Sequence, residues 1–193
     1  MHMVIRALVY AKDKKGAIEQ ARHVFERMCG EGLQFDYYTM FGKENEGSVV
    51  SGPDRWGHLP ECELATSKKG KKLVDEGWEA TSQEFKRHFE EVKKGMELFT
   101  ADELLETEYV ESKADDISPE EKEKRSIRSM FRYYCNCMGA YRGHSIWLYD
   151  NDGEGITTKR HLNDVLSKWE GRGGASKEYK DKKVWVVPAD VHH

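Results

Sequence analysis

The chain reads as an α+β protein: a ferredoxin-like antiparallel sheet made from two β-α-β units, helices on one face, and a large helical insertion between the units. Two observations predict this. Residues 1–62 and 139–193 each pattern as strand, helix, strand, while residues 63–138 carry long apolar repeats at steps of three and four with strong helix-start signals. The expected organisation is therefore an N-terminal half of the sheet domain over 1–62, the insertion over 63–138, and the C-terminal half over 139–193.

Val4 to Ala11 is apolar and rich in β-formers apart from Arg6, which predicts a strand. After Asp13 to Gly16, the residues Ala17, Ile18, Ala21, Val24, Phe25 and Met28 fall on one helical face. Gly30 and Gly32 suit its C-terminal stop. Phe35 to Phe41 alternates into a second strand, and Asn45-Glu46-Gly47 signals a turn after which Ser48 to Ser51 is expected to pair back as a hairpin arm. Gly52 to Glu63 is loop-like, broken at Gly52-Pro53 and Leu59-Pro60. Within it Arg55 and Trp56, followed by Gly57-His58, are ligand-binding candidates, because loops often carry binding side chains.

Gly70 to Phe99 holds the clearest periodicity. Val74, Trp78, Thr81, Phe85, Phe89 (or His88), Val92, Met96 and Phe99 predict one long amphipathic helix that packs along another. Thr100 and Glu103 form a capping box for a short helix, and Glu106 to Asp116 reads as an acidic, mobile loop. Ser118-Pro119-Glu120-Glu121 opens a further helix lined by Ile127, Met130, Phe131, Tyr134 and Met138. The two longer helices are expected to pack antiparallel. Ser145 to Tyr149 returns to strand, His161 to Trp169 is helical, and Lys183 to Val187 is a last strand stopped by Pro188. His192 and His193 then fall in an accessible polar tail that could ligate metal.

A net charge of −4 gives no general attraction to nucleic acid or acidic lipid, and no apolar run approaches the roughly 20 residues that span a bilayer. Tyr10, Tyr37, Tyr38, Trp147, Tyr149 and Trp185 lie on expected strands and could stack on a base, but the short motifs of RNA-recognition modules are absent. Nucleic acid is not favoured as a partner, and no membrane is expected. The four cysteines have no disulfide-framework spacing, and Met1-His2-Met3 opens no signal peptide, so the expected location is cytoplasmic. His58, Cys62, Cys135 and Cys137 are of zinc-ligand type without a usual structural-zinc spacing.

The sharpest chemistry lies at Ser145 to Thr158, where an apolar strand runs into an acidic, glycine-containing loop and then a helix start. Asp150, Asp152 and Glu154 are candidate ligands for Mg²⁺ or Mn²⁺. Asp150, Asp152, Gly153, Gly155, Thr157 and Thr158 are candidate ligand-binding residues, since backbone N–H groups at a helix start receive phosphate oxygens. Asp150 to Lys159 resembles an EF-hand calcium loop, but Ile156 follows Gly155 one residue early and His161 stands near where that loop closes with Glu. Ile146 to Gly153 resembles the first motif of haloacid-dehalogenase-like phosphatases. That resemblance implies Asp150 as nucleophile and Asp152 as acid/base around magnesium, yet only about 40 residues follow, too few for the rest of such a fold.

Two functions follow. One is a non-catalytic binding or regulatory protein for a nucleotide-like small molecule or a protein partner, with oligomer formation allowed. The other is a metal-dependent phosphoester or nucleotide hydrolase using the Asp150 to Thr158 loop.

Overall fold

Strand β1 (His2–Ala11) is buried on both faces, as its nearly continuous apolar run requires. In this computed structural model, which describes residues 1–43, 45–106, 118–140, 146–168 and 178–192, it lies between two neighbours. β5 (Lys183–His192) runs antiparallel to it over the whole length, from Ala11 opposite Lys183 to His2 opposite His192. β4 (Leu148–Tyr149) lies parallel on its other side, with Leu148 opposite Arg6. β2 (Tyr37–Met40) and β3 (Glu63–Leu64) both pair antiparallel with the outer edge of β5. The sheet has five strands in the order β2-β5-β1-β4, with β3 on β5.

The class is α+β, and the three strands predicted around Val4–Ala11, Ser145–Tyr149 and Lys183–Val187 do share one sheet. Its mixed pairing and strand order are not the ferredoxin-like arrangement. Apolar alternation specifies which face of a strand is buried, not which strand lies beside it. The predicted hairpin arm at Ser48 to Ser51 is also absent. Asn45 holds that segment as a loop instead: its Oδ1 accepts from Gly42 N–H at 3.1 Å and its Nδ2 donates to Ser51 O at 3.1 Å.

β5 does not stop at Pro188. A proline inside a central strand normally costs a ladder bond. Here Asp36 N–H donates to His192 O and Ala65 N–H to Val184 O, so even-numbered residues of β5 turn their backbone groups toward the β2/β3 edge. β3 pairs there only at Trp185 and Val186, and β2 only from Ala189 on. Pro188 therefore meets the gap between two partners, and no bond is lost. The consequence is that His192 is strand, not tail.

Helices cover both faces, which corrects the one-face expectation. Helix α1 (Lys14–Met28), capped by the Asp13 side chain on Gly16 N–H, buries Ala17, Ala21, Val24, Phe25 and Met28. Its Phe25 packs on Tyr38, whose cross-strand partner in β5 is Val191, itself opposite Met3 of β1. The other face carries Leu8, Leu148, Val184 and Val186, packed by Leu73 and Val74 of α3 (Lys68–Leu98) and by Leu162 and Val165 of α6 (Lys159–Ser167). Gly77 lets α3 approach closely. A Cβ there would stand 2.8 Å from Leu148 Cδ2 and 3.0 Å from Arg6 Cδ.

The chain divides into two units, Met1–Thr81 with Ile146–His193, and Ser82–Ser145. In the second, the later part of α3 packs against α5 (Pro119–Ala140), with α4 (Ala101–Glu106) between them in sequence. His88 meets Tyr134, Gly95 approaches Phe131, and Phe99 lies under Arg128 and Lys124. Partners descend in number as α3 ascends, so the two helices run antiparallel, as expected. The predicted caps form: Glu103 Oε2 accepts from Thr100 N–H at 2.8 Å, and Ser118 Oγ accepts from Glu121 N–H at 3.2 Å. Most of the acidic stretch at Glu106 to Asp116, together with Trp169 and His193, lies outside the described residues. No described helix is long and apolar enough to cross a membrane.

Candidate functional site

The acidic loop after β4 uses its best carboxylate on itself. Asp150 Oδ1 accepts from the N–H groups of Asp152 and Glu154, each at 2.9 Å, and Asp150 Oδ2 lies 3.1 Å from His161 Nε2. This is an Asx turn closed by an imidazole. Asn151 joins the loop to the sheet, its Oδ1 accepting from Tyr10 N–H at 3.1 Å. Thr158 caps α6 by accepting from His161 N–H, and Gly155 bridges back to Tyr149. Thr157 is half-buried between them, while Asp152 and Glu154 are exposed. Among the described residues, no group of three or more His, Cys, Asp or Glu side chains is arranged to hold a metal ion, so Asp150, Asp152 and Glu154 do not converge as a ligand set.

Arg55 and Trp56 sit on a single helical turn, α2 (Pro53–Trp56), where the guanidinium covers the indole at 5.0 Å. His58, two residues later, is the member of that segment that enters a groove. The groove holds about 270 Å³ and is lined by His58, Leu59 and Pro60 on one side and by Lys69, Lys72, Leu73 and Glu76 on the other. α3 places its four residues there by helical spacing, all within two turns. Leu59 and Leu73 connect the floor to the core of the sheet unit.

The charges in the groove are not evenly paired. Glu76 Oε2 lies 3.5 Å from Arg6 Nη2, and Glu76 Oε1 lies 3.7 Å from Lys72 Nζ. Arg6 is buried on β1, with Nη1 donating to Val4 O at 2.7 Å and Nε without a partner among the described residues. Burial pulls its pKa down and Glu76 pushes it back up. The one acid of the groove is thus occupied by cations, whereas Lys69 and His58 have no ion-pair partner among the described residues.

Cys29 and Cys62 present no thiolate at neutral pH. Burial pushes the thiols of Cys29 and Cys62 up to about 12, which keeps them protonated at neutral pH.

The family described as Domain of unknown function (DUF7995) matches residues 1–193, the whole chain. The chain belongs to the DUF7995 family. No curated protein and no solved structure matches this DUF7995 chain.

Sequence reasoning missed Arg6, Lys69, Lys72 and Glu76. A signal for two of them was present in the basic run Lys68 to Lys72, at the start of the apolar periodicity. What no local pattern contains is that this run faces His58.

Proposed function

We propose that this protein is a non-catalytic binding protein that takes a small anionic, nucleotide-like ligand in the groove between His58–Pro60 and α3. One observation carries the proposal: Glu76 is held by Arg6 and Lys72, so Lys69 and His58 face an apolar-floored groove as uncompensated donors. Leu59, Pro60 and Leu73 supply the surface a ring would cover, and the basic side chains supply charge for a phosphate or carboxylate. A groove of about 270 Å³ suits a nucleoside monophosphate more than a larger ligand. Among the described residues that line it, none is a serine, threonine or cysteine, which supports binding without turnover.

Thermal-shift screening with nucleoside monophosphates and small dicarboxylates tests the proposal. A true ligand at a hundredfold excess over its Kd stabilises the native state by about 2.7 kcal/mol. It is expected to be recovered unchanged, and Lys69→Ala with Lys72→Ala should remove the shift. Failure of every anion to stabilise the chain, or conversion of one that does, overturns the proposal.

A further inference from the structure

At the far end of the sheet two histidines face each other, each oriented by its own carboxylate. His2 and His192 are direct cross-strand partners, with ring centroids 4.8 Å apart. His2 Nδ1 lies 2.8 Å from Asp190 Oδ2, and His192 Nδ1 lies 2.8 Å from Asp36 Oδ2. A carboxylate only accepts, so both Nδ1 atoms carry the proton and both lone pairs sit on Nε2. Tyr37, opposite His192 on β2, stacks on that ring at 5.1 Å and brings its hydroxyl to 3.4 Å from His2 Nε2. That distance is long for a hydrogen bond and leaves the lone pair available. His192 Nε2 has no hydrogen-bond partner among the described residues.

A carboxylate on Nδ1 with Nε2 presented outward is how metal-binding imidazoles are held. A second, independent observation lies beneath the pair. Asp190 is fully buried, its Oδ1 has no hydrogen-bond partner among the described residues, and the imidazole of His2 meets its charge at Oδ2. A buried carboxylate in that position is stabilised by positive charge on the ring it holds, which a metal on Nε2 supplies.

We infer that His2 and His192 form a two-imidazole site for a borderline divalent transition-metal ion, of the class Zn²⁺, Ni²⁺ or Cu²⁺. With metal–nitrogen bonds of about 2.0–2.1 Å, each ring centroid stands about 3 Å from the ion, and the observed separation gives an angle of roughly 100° between the two ligands. That falls between octahedral and tetrahedral geometry. The Tyr37 oxygen and water complete the coordination. Asp190 and Asp36 are positioning residues, since their oxygens are spent on Nδ1. Imidazole nitrogens with no thiolate favour these ions over Mg²⁺ or Ca²⁺. The site shares no residue with the groove.

Calorimetric titration of the chelator-treated full chain with ZnCl₂ is the test, alongside nitrogen NMR of the histidine rings. One ion per chain in the micromolar range is expected. His2→Ala and His192→Ala should each weaken binding at least tenfold, and His58→Ala should leave it unchanged. Asp190→Asn should weaken it about 10- to 100-fold. Because that variant can also perturb the fold, the unsubstituted chain supplies the second readout: zinc should shift Nε2 of His2 and His192 and leave both Nδ1 protonated. Absence of saturable binding, or binding that survives His2→Ala, overturns the inference.

Discussion

Glu76 Oε2 lies 3.5 Å from Arg6 Nη2, so a helix residue that lines the groove is tied to a buried cation on the central strand. The contact neutralises the groove's one acid and fixes α3 over β1. Removing the charge should therefore affect ligand and fold differently. Glu76→Gln is expected to tighten anion binding about threefold to tenfold, because one negative charge leaves a partly exposed site. It should also destabilise the chain, by about 1–3 kcal/mol, since Arg6 loses its anion. Calorimetry and urea unfolding on the same variant check both signs.

Gly77→Ala tests the close approach of α3. Alanine is the better helix former by about 1 kcal/mol. The new methyl would nevertheless stand 2.8 Å from Leu148 Cδ2, and both α3 and β4 would have to shift. A net loss of about 1–3 kcal/mol in urea unfolding is expected.

The Asp150 loop is expected to behave as a structural turn. Asp150→Ala removes the acceptor of two backbone N–H groups and the partner of His161, and should cost about 1–3 kcal/mol. Asp150→Asn keeps one acceptor oxygen and should cost less. The pair Asp150→Asn with Asp152→Asn should leave ligand binding at the groove unchanged, which calorimetry reads directly.

Two desolvated thiols set an alkaline limit. The ordinary thiol value is 9.0, and burial raises Cys29 and Cys62 to about 12. The unfolded chain therefore ionises first, so their contribution is complete below about pH 9 and is lost as pH rises toward 12. Urea midpoints should fall over that window, and should fall less when both cysteines are replaced by alanine. Native alkylation at pH 8 should be slow at both.

Local signals were legible in the sequence. The helices α1, α3 and α5, the caps of α4 at Thr100 and of α5 at Ser118, and the apolar run of β1 all follow from spacing within a few residues. Pairing was not legible. Nothing near Pro188 announces that β2 and β3 leave a gap opposite it, and nothing in Asn45 shows that its side chain replaces a hairpin. The acidic loop brings three carboxylates close in sequence, yet Asp150 Oδ1 accepts from the loop's own N–H groups. The groove is assembled from segments that meet only in the fold, with His58 at one wall and Lys69 at the other.

Amide-resolved NMR titration of the full chain with a nucleoside monophosphate tests the central claim most directly. The expected perturbations are confined to His58, Leu59, Lys69, Lys72, Leu73 and Glu76, and they disappear in the Lys69→Ala, Lys72→Ala variant. Perturbations that centre on Asp150 to Thr158 and require Mg²⁺, or none at millimolar ligand, would contradict it.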